Sequence, residues 1–154
     1  MPNDSVQHQV AVALPQDKAF QFFVGSFRAW WPPEYTWSRE RLGSIEIEPK
    51  TGGRCIERRD DGIERVWGHV QAFDPPHHLI LHWQITPDSQ PEPDLAKAST
   101  VAVRFVPVDA SHTRIELEHR DFDRHGEGWQ TYLANMASPY GWPFVLQRYV
   151  DALA

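Results

Sequence analysis

One cysteine, Cys55, stands in the 154 residues, so no internal disulfide can brace the chain, and a lone thiol fits a reducing cytosol. No apolar run approaches the roughly 18 residues of a membrane span. The opening MPNDSVQHQV lacks the basic start and the apolar stretch of a signal peptide. Basic residues are the minority: 15 Lys and Arg against 21 Asp and Glu leave a formal charge of −6. That balance argues against nucleic acid, whose binding depends on cations that neutralise phosphates. The sequence also has no P-loop, GxGxxG, HExxH or GxSxG motif, no heptad run and no internal repeat. These absences lead us to expect a cytoplasmic protein with no membrane span, no nucleic-acid partner and no organic cofactor.

What is present is aromatic. Seven Trp, eight Phe and four Tyr stand in a chain that is 41% hydrophobic, too apolar for disorder. Such side chains fill cores and also line apolar pockets, and composition alone does not separate the two uses. The length fits one domain over residues 1–154, and a chain of this size can bury about 68–70% of its unfolded surface.

Periodicity places the elements. Residues 6–14 alternate, with Val6, His8, Val10, Val12 and Leu14 on one face, as in a half-buried strand. After Pro15, residues Ala19, Phe22, Phe23, Ser26, Phe27 and Trp30 recur at steps of three and four, a helical period. Trp31-Pro32-Pro33 ends it, because a residue before proline leaves the helical region. Strands are expected over 42–48, 54–59, 64–73, 78–86, 100–106 and 113–120, divided by turns such as Asp60-Asp61-Gly62 and Asp74-Pro75-Pro76. Residues 87–98 form a long Pro-rich loop, of the length used for lids and entrances. After Gly126 a broken helical segment carries Trp129, Leu133 and Met136, then Trp142, Leu146, Tyr149 and Leu153. The order reads as α+β, with helices segregated from one curved antiparallel sheet.

Several of these residues carry a resemblance. Gly52-Gly53-Arg54, Asp61-Gly62, Trp67-Gly68-His69-Val70, Pro75-Pro76-His77-His78-Leu79 and Leu81-His82-Trp83, in that order and spacing, resemble the activator of heat-shock-protein-90 ATPase homologue-like family. That family lies within the START-like (birch-pollen-allergen-like, SRPBCC) superfamily. The resemblance implies a helix-grip fold: a curved antiparallel sheet wrapped around a long C-terminal helix, with two short helices after the first strand. It implies binding of a small hydrophobic molecule between sheet and helix. It leaves open a cavity enzyme of the polyketide cyclase or hydrolase type, and a co-chaperone-like interaction module. A chaperone, or a second copy of the chain in a homodimer, stays open as a protein partner.

Strand alternation nominates the site. Leu79, Leu81, Trp83 and Ile85 share a face, as do Val101, Val103 and Phe105, and Thr113, Ile115, Leu117 and His119. On the strand over 54–59 the resemblance favours Cys55, Glu57 and Arg59 inside, while the opposite phase would put Ile56 there. The expected ligand-binding set is Cys55, Glu57, Arg59, Leu81, Trp83, Phe105, His119, Trp129 and Trp142. Glu57, Arg59 and His119 would make a polar trio in an apolar grip. The trio is either a structural ion pair or a binding group in which His119 and Glu57 serve as acid and base. Trp67, out of phase with Gly68, is expected on the outer face. Trp30, Trp31, Tyr35 and Trp37 read as a cavity mouth or a partner surface. His77, His78 and His82 are not expected to bind metal: only the last two share a face, about 13 Å apart along a strand. Cys55 is expected to be an inert buried thiol.

Overall fold

The structure, a computed structural model, describes residues 4–153. Seven strands form one antiparallel sheet: β1 (Val6–Val12), β2 (Leu42–Ile47), β3 (Arg54–Arg59), β4 (Glu64–Asp74), β5 (His78–Trp83), β6 (Ser99–Asp109) and β7 (His112–Arg120). Their spatial order is β1-β7-β6-β5-β4-β3-β2, so six strands follow as a meander and the first closes onto the last. Helices α1 (Gln16–Gly25) and α2 (Phe27–Trp30) connect β1 to β2, and α3 (Trp129–Ala137) and α4 (Trp142–Ala152) end the chain. This is the helix-grip arrangement. Among the described residues no helix is long and apolar enough to cross a membrane.

The alternation of β1 survives intact, with Val6 and Val12 buried and Gln7, Gln9 and Ala11 exposed. Helix α1 buries Ala19, Phe20, Phe23 and Val24, a stripe at helical spacing. That stripe meets the sheet and α4 through rings: Phe20 and Phe23 lie 5.0 and 5.4 Å from Phe105, and Phe23 lies 5.3 Å from Tyr149. Tyr149 also donates its hydroxyl to the Ala19 carbonyl at 2.8 Å. Each fully buried ring stabilises by about 1.5–3 kcal/mol, so this contact clamps both helices to the sheet.

Two departures from simple patterning shape the site. The C-terminal helix is two helices, because the chain turns sharply at Gly141. A Cβ there would stand 2.1 Å from the Met136 carbonyl oxygen, so only glycine admits the approach of α3 to α4. The second departure is a β-bulge between β3 and β4. Cys55 pairs with Gly68 and Ile56 with Val66, which leaves Trp67 without a partner on β3. The extra residue breaks the two-residue alternation, and Trp67 turns into the interior at 3% exposure instead of onto the outer face. Gly68 makes room, since a Cβ on it would lie 2.6 Å from the His82 carbonyl oxygen.

Candidate functional site

A cavity of about 420 Å³ opens between the β2–β5 end of the sheet and the α3–α4 corner. Its walls are aromatic: Trp31, Trp67, Trp83 and Trp142 inside, with Tyr35, Trp37, Tyr132 and Tyr140 toward the rim. Trp31, Trp67 and Phe27 stack nearly parallel, at ring distances of 5.0–6.1 Å. Trp83 meets Trp67 and Trp142 edge-on at 5.8 and 5.4 Å. Edge-to-face and offset-stacked pairs each add roughly 0.5–1.5 kcal/mol beyond the area they bury. The walls are therefore rigid.

Nε1 of Trp67 is buried without a partner, while other polar atoms of these walls are satisfied within the protein. Trp83 donates its indole N–H to the Tyr132 hydroxyl at 2.7 Å, and Tyr132 donates on to the Ile85 carbonyl at 3.0 Å. Trp37 donates to the Ser89 carbonyl at 2.7 Å, which ties the connector after α2 to the Pro-rich loop. Tyr35 reaches the Tyr140 carbonyl at 2.8 Å across the mouth. Glu57, 2% exposed, accepts from the Trp37 N–H at 3.1 Å and from both the N–H and the hydroxyl of Ser38, at 2.7 and 2.5 Å. A buried carboxylate with three donors is compensated. It pins residues 36–38 over the cavity.

His119 lies fully buried, against Trp83 and Trp142 and outside the cavity lining. Trp142 donates its indole N–H to Nδ1 at 3.0 Å. Nδ1 therefore carries the lone pair, and the ring proton sits on Nε2, 2.6 Å from the Ser99 hydroxyl. Ser99 in turn lies 2.8 Å from Nε2 of His125 and is free to donate to it. Burial, with His125 adding to it, holds the His119 imidazole well below its ordinary range. The ring stays neutral and positions Trp142.

The expected set divides on this geometry. Glu57, Trp83 and Trp142 line the cavity. Cys55, Leu81 and Phe105 are buried in the core away from it, and Trp129 packs half-buried on the outside of that core. Burial pushes the Cys55 thiol far up, so it stays protonated. The polar trio does not assemble. Arg59 points away to a two-pronged pair with Asp61, at 2.9 and 2.6 Å, because the hairpin turn at 60–62 brings that carboxylate alongside. Of the mouth aromatics, Trp30 and Trp31 are buried, while Tyr35 and Trp37 frame the entrance. His77, just before β5, faces Gln16, and His78 at the start of β5 faces Asp74. Tyr132, Met136 and Val145 also line the cavity, but their helical spacing reads equally as core. For Trp67 the signal was the adjacent Gly68, since glycine inside a strand marks a bulge.

A larger, open depression of about 1250 Å³ covers the outer face over β1 and β5–β7. Its charged floor is occupied by ion pairs on the sheet, Arg104–Glu116 and Arg120–Glu118, and it has no aromatic enclosure. Of the two, the smaller cavity is the more concave and the more aromatic.

A family model for Activator of Hsp90 ATPase homolog 1-like proteins matches residues 13–139. The chain belongs to that family. No curated protein matches this Activator of Hsp90 ATPase homolog 1-like chain. Among solved structures, it is similar to the anthrahydroquino-gamma-pyrone synthase Txn09 complexed with SUM: 33% identity, 99% of each chain covered, TM-score 0.67. It is also similar to CalC from Micromonospora echinospora, a self-sacrificing resistance protein: 30% identity over 98% of this chain and 95% of that one, TM-score 0.69. A protein from Nitrosomonas europaea shares the fold at 12% identity and TM-score 0.65.

Proposed function

We propose that the protein binds a flat aromatic small molecule in the 420 Å³ cavity. The observation that carries this reading is the wall of four tryptophans, held by ring contacts, with the Trp83 and Trp142 indoles hydrogen-bonded within the protein. Such a surface offers stacking faces and excludes water. The volume lies in the range of drug-sized ligand pockets, about 300–1,000 Å³. The likeness to a synthase of an anthrahydroquino-gamma-pyrone supports the same ligand class.

Binding is favoured over an acid/base reaction by the place of His119. A general base needs a lone pair within reach of the substrate, and Nδ1 of His119 already accepts from Trp142. Glu57 alone of the proposed pair lines the cavity, and its carboxylate is taken up by Trp37 and Ser38.

Native mass spectrometry of the protein as purified, then after addition of anthraquinone-2-carboxylate, tests the reading. A one-to-one adduct is the expected result. A protein that takes up neither this probe nor any cellular aromatic compound contradicts it.

A further inference from the structure

We infer that Arg39 anchors an anionic group on the ligand, so that the molecule the cavity takes is a flat aromatic acid. Its rings lie among the tryptophans and its carboxylate or ionised phenol lies at the mouth. This rests on the reading of the cavity as an aromatic-binding site and goes on to name the chemical class that the site selects.

Arg39 is the one basic residue that lines the cavity. It is exposed, two residues beyond Trp37 at the rim, so an incoming molecule can reach it. The other polar side chains around it are engaged. Glu34 is ion-paired with Arg148, Tyr35 donates to the Tyr140 carbonyl and Trp37 to the Ser89 carbonyl, and Ser38 and Trp37 fill the Glu57 carboxylate. Arg39 bonds through its backbone, its N–H to the Thr36 hydroxyl at 2.9 Å and its carbonyl to the Leu42 N–H. Its guanidinium makes no hydrogen bond or ion pair among the described residues. Arg28 and Arg65 also lack an ion pair there, but neither lines the cavity.

The backbone at this position adds a second observation. Arg39 has a φ of 50°, in the left-handed region that suits glycine and costs a residue with a Cβ. Local folding therefore calls for glycine, and the arginine side chain returns nothing to the fold through polar contact. Residues held in such conformations cluster at ligand sites. The neighbours hold this one: Thr36 bonds its N–H, and Glu57 pins Ser38 just before it. The buried carboxylate thus fixes the segment that presents the cation. A guanidinium fork matches the two oxygens of a carboxylate. An apolar pocket with one such group at its mouth sets the orientation of what it binds, and the anion keeps water on its outer side.

Calorimetry with anthraquinone-2-carboxylate and its neutral counterpart, 2-(hydroxymethyl)anthraquinone, tests this, and the quantity read is the ratio of the two affinities. The wild-type protein is expected to bind the carboxylate about fivefold more tightly, the worth of an ion pair at a wet rim. Arg39→Gln should abolish that preference, whatever the change of a lining residue does to both affinities in common. The side chain is exposed and has no polar partner, so the variant should keep the unfolding temperature of the wild type. Arg28→Gln makes the same change in net charge on α2, away from the cavity, and should leave the ratio as it is. Equal binding of the two probes by the wild type, a preference that survives Arg39→Gln, or one lost equally in Arg28→Gln overturns the inference and leaves the cavity reading intact. Failure of both probes to bind overturns the cavity reading itself.

Discussion

Glu57 shows how one side chain serves fold and site together. Its carboxylate ends in the interior, where a charge is tolerated only if its oxygens are filled, and the Trp37 and Ser38 donors fill them. Glu57→Ala leaves those N–H groups without an acceptor. It should lower unfolding free energy by about 1–3 kcal/mol, measured by urea titration, with Glu57→Gln falling between. His119 makes the pH prediction. Its folded-state pKa is depressed, mainly by burial, so the unfolded chain binds its proton at a higher pH than the folded chain does. Stability is therefore full above the ordinary value of 6.5 and falls as pH drops below it. The slope is at most about 1.4 kcal/mol per unit for this one group. Burial depresses His82 and His125 in the same direction, so they steepen the fall. Urea midpoints at pH 7.5, 6.5 and 5.5 should decline in that order, and His119→Gln, which cannot titrate, should flatten the decline.

At the scale of elements, what was legible in the sequence was whatever local patterning dictates. The alternation of β1, the helical stripe of α1 and the turn residues between strands placed nearly every element. They failed at the bulge. A single unpaired residue reverses the inward phase from there on, and no periodicity argument sees it, so Trp67 was put outside although it lines the cavity. Arg59 departs for another reason: the resemblance favours it inside, but the turn at 60–62 offers it Asp61 instead. Glu57, nominated by the strand phase that the resemblance favours, and Trp142, nominated as an aromatic on the last helix, both line the cavity. The same reasoning gives a test of the bulge. Gly68→Ala drives a methyl into the His82 carbonyl. It should cost about 1–3 kcal/mol of stability as an overpacked site and displace Trp67, so thermal unfolding and ligand affinity should fall together.

For the whole molecule, the central claim is that sheet and C-terminal helices hold an aromatic ligand between them. Val145, buried on α4, faces that space. Val145→Phe should fill part of it without removing any hydrogen bond or breaking the ring contacts that clamp α1 to the sheet. The most direct measurement is titration calorimetry of anthraquinone-2-carboxylate into wild type and Val145→Phe, with thermal unfolding run alongside. The account predicts one-to-one binding with a negative heat-capacity change in the wild type, the mark of apolar surface leaving water. It predicts affinity at least about tenfold weaker in the variant, whose unfolding temperature stays within a few degrees. Equal affinity for the two proteins would place the ligand elsewhere and contradict the account.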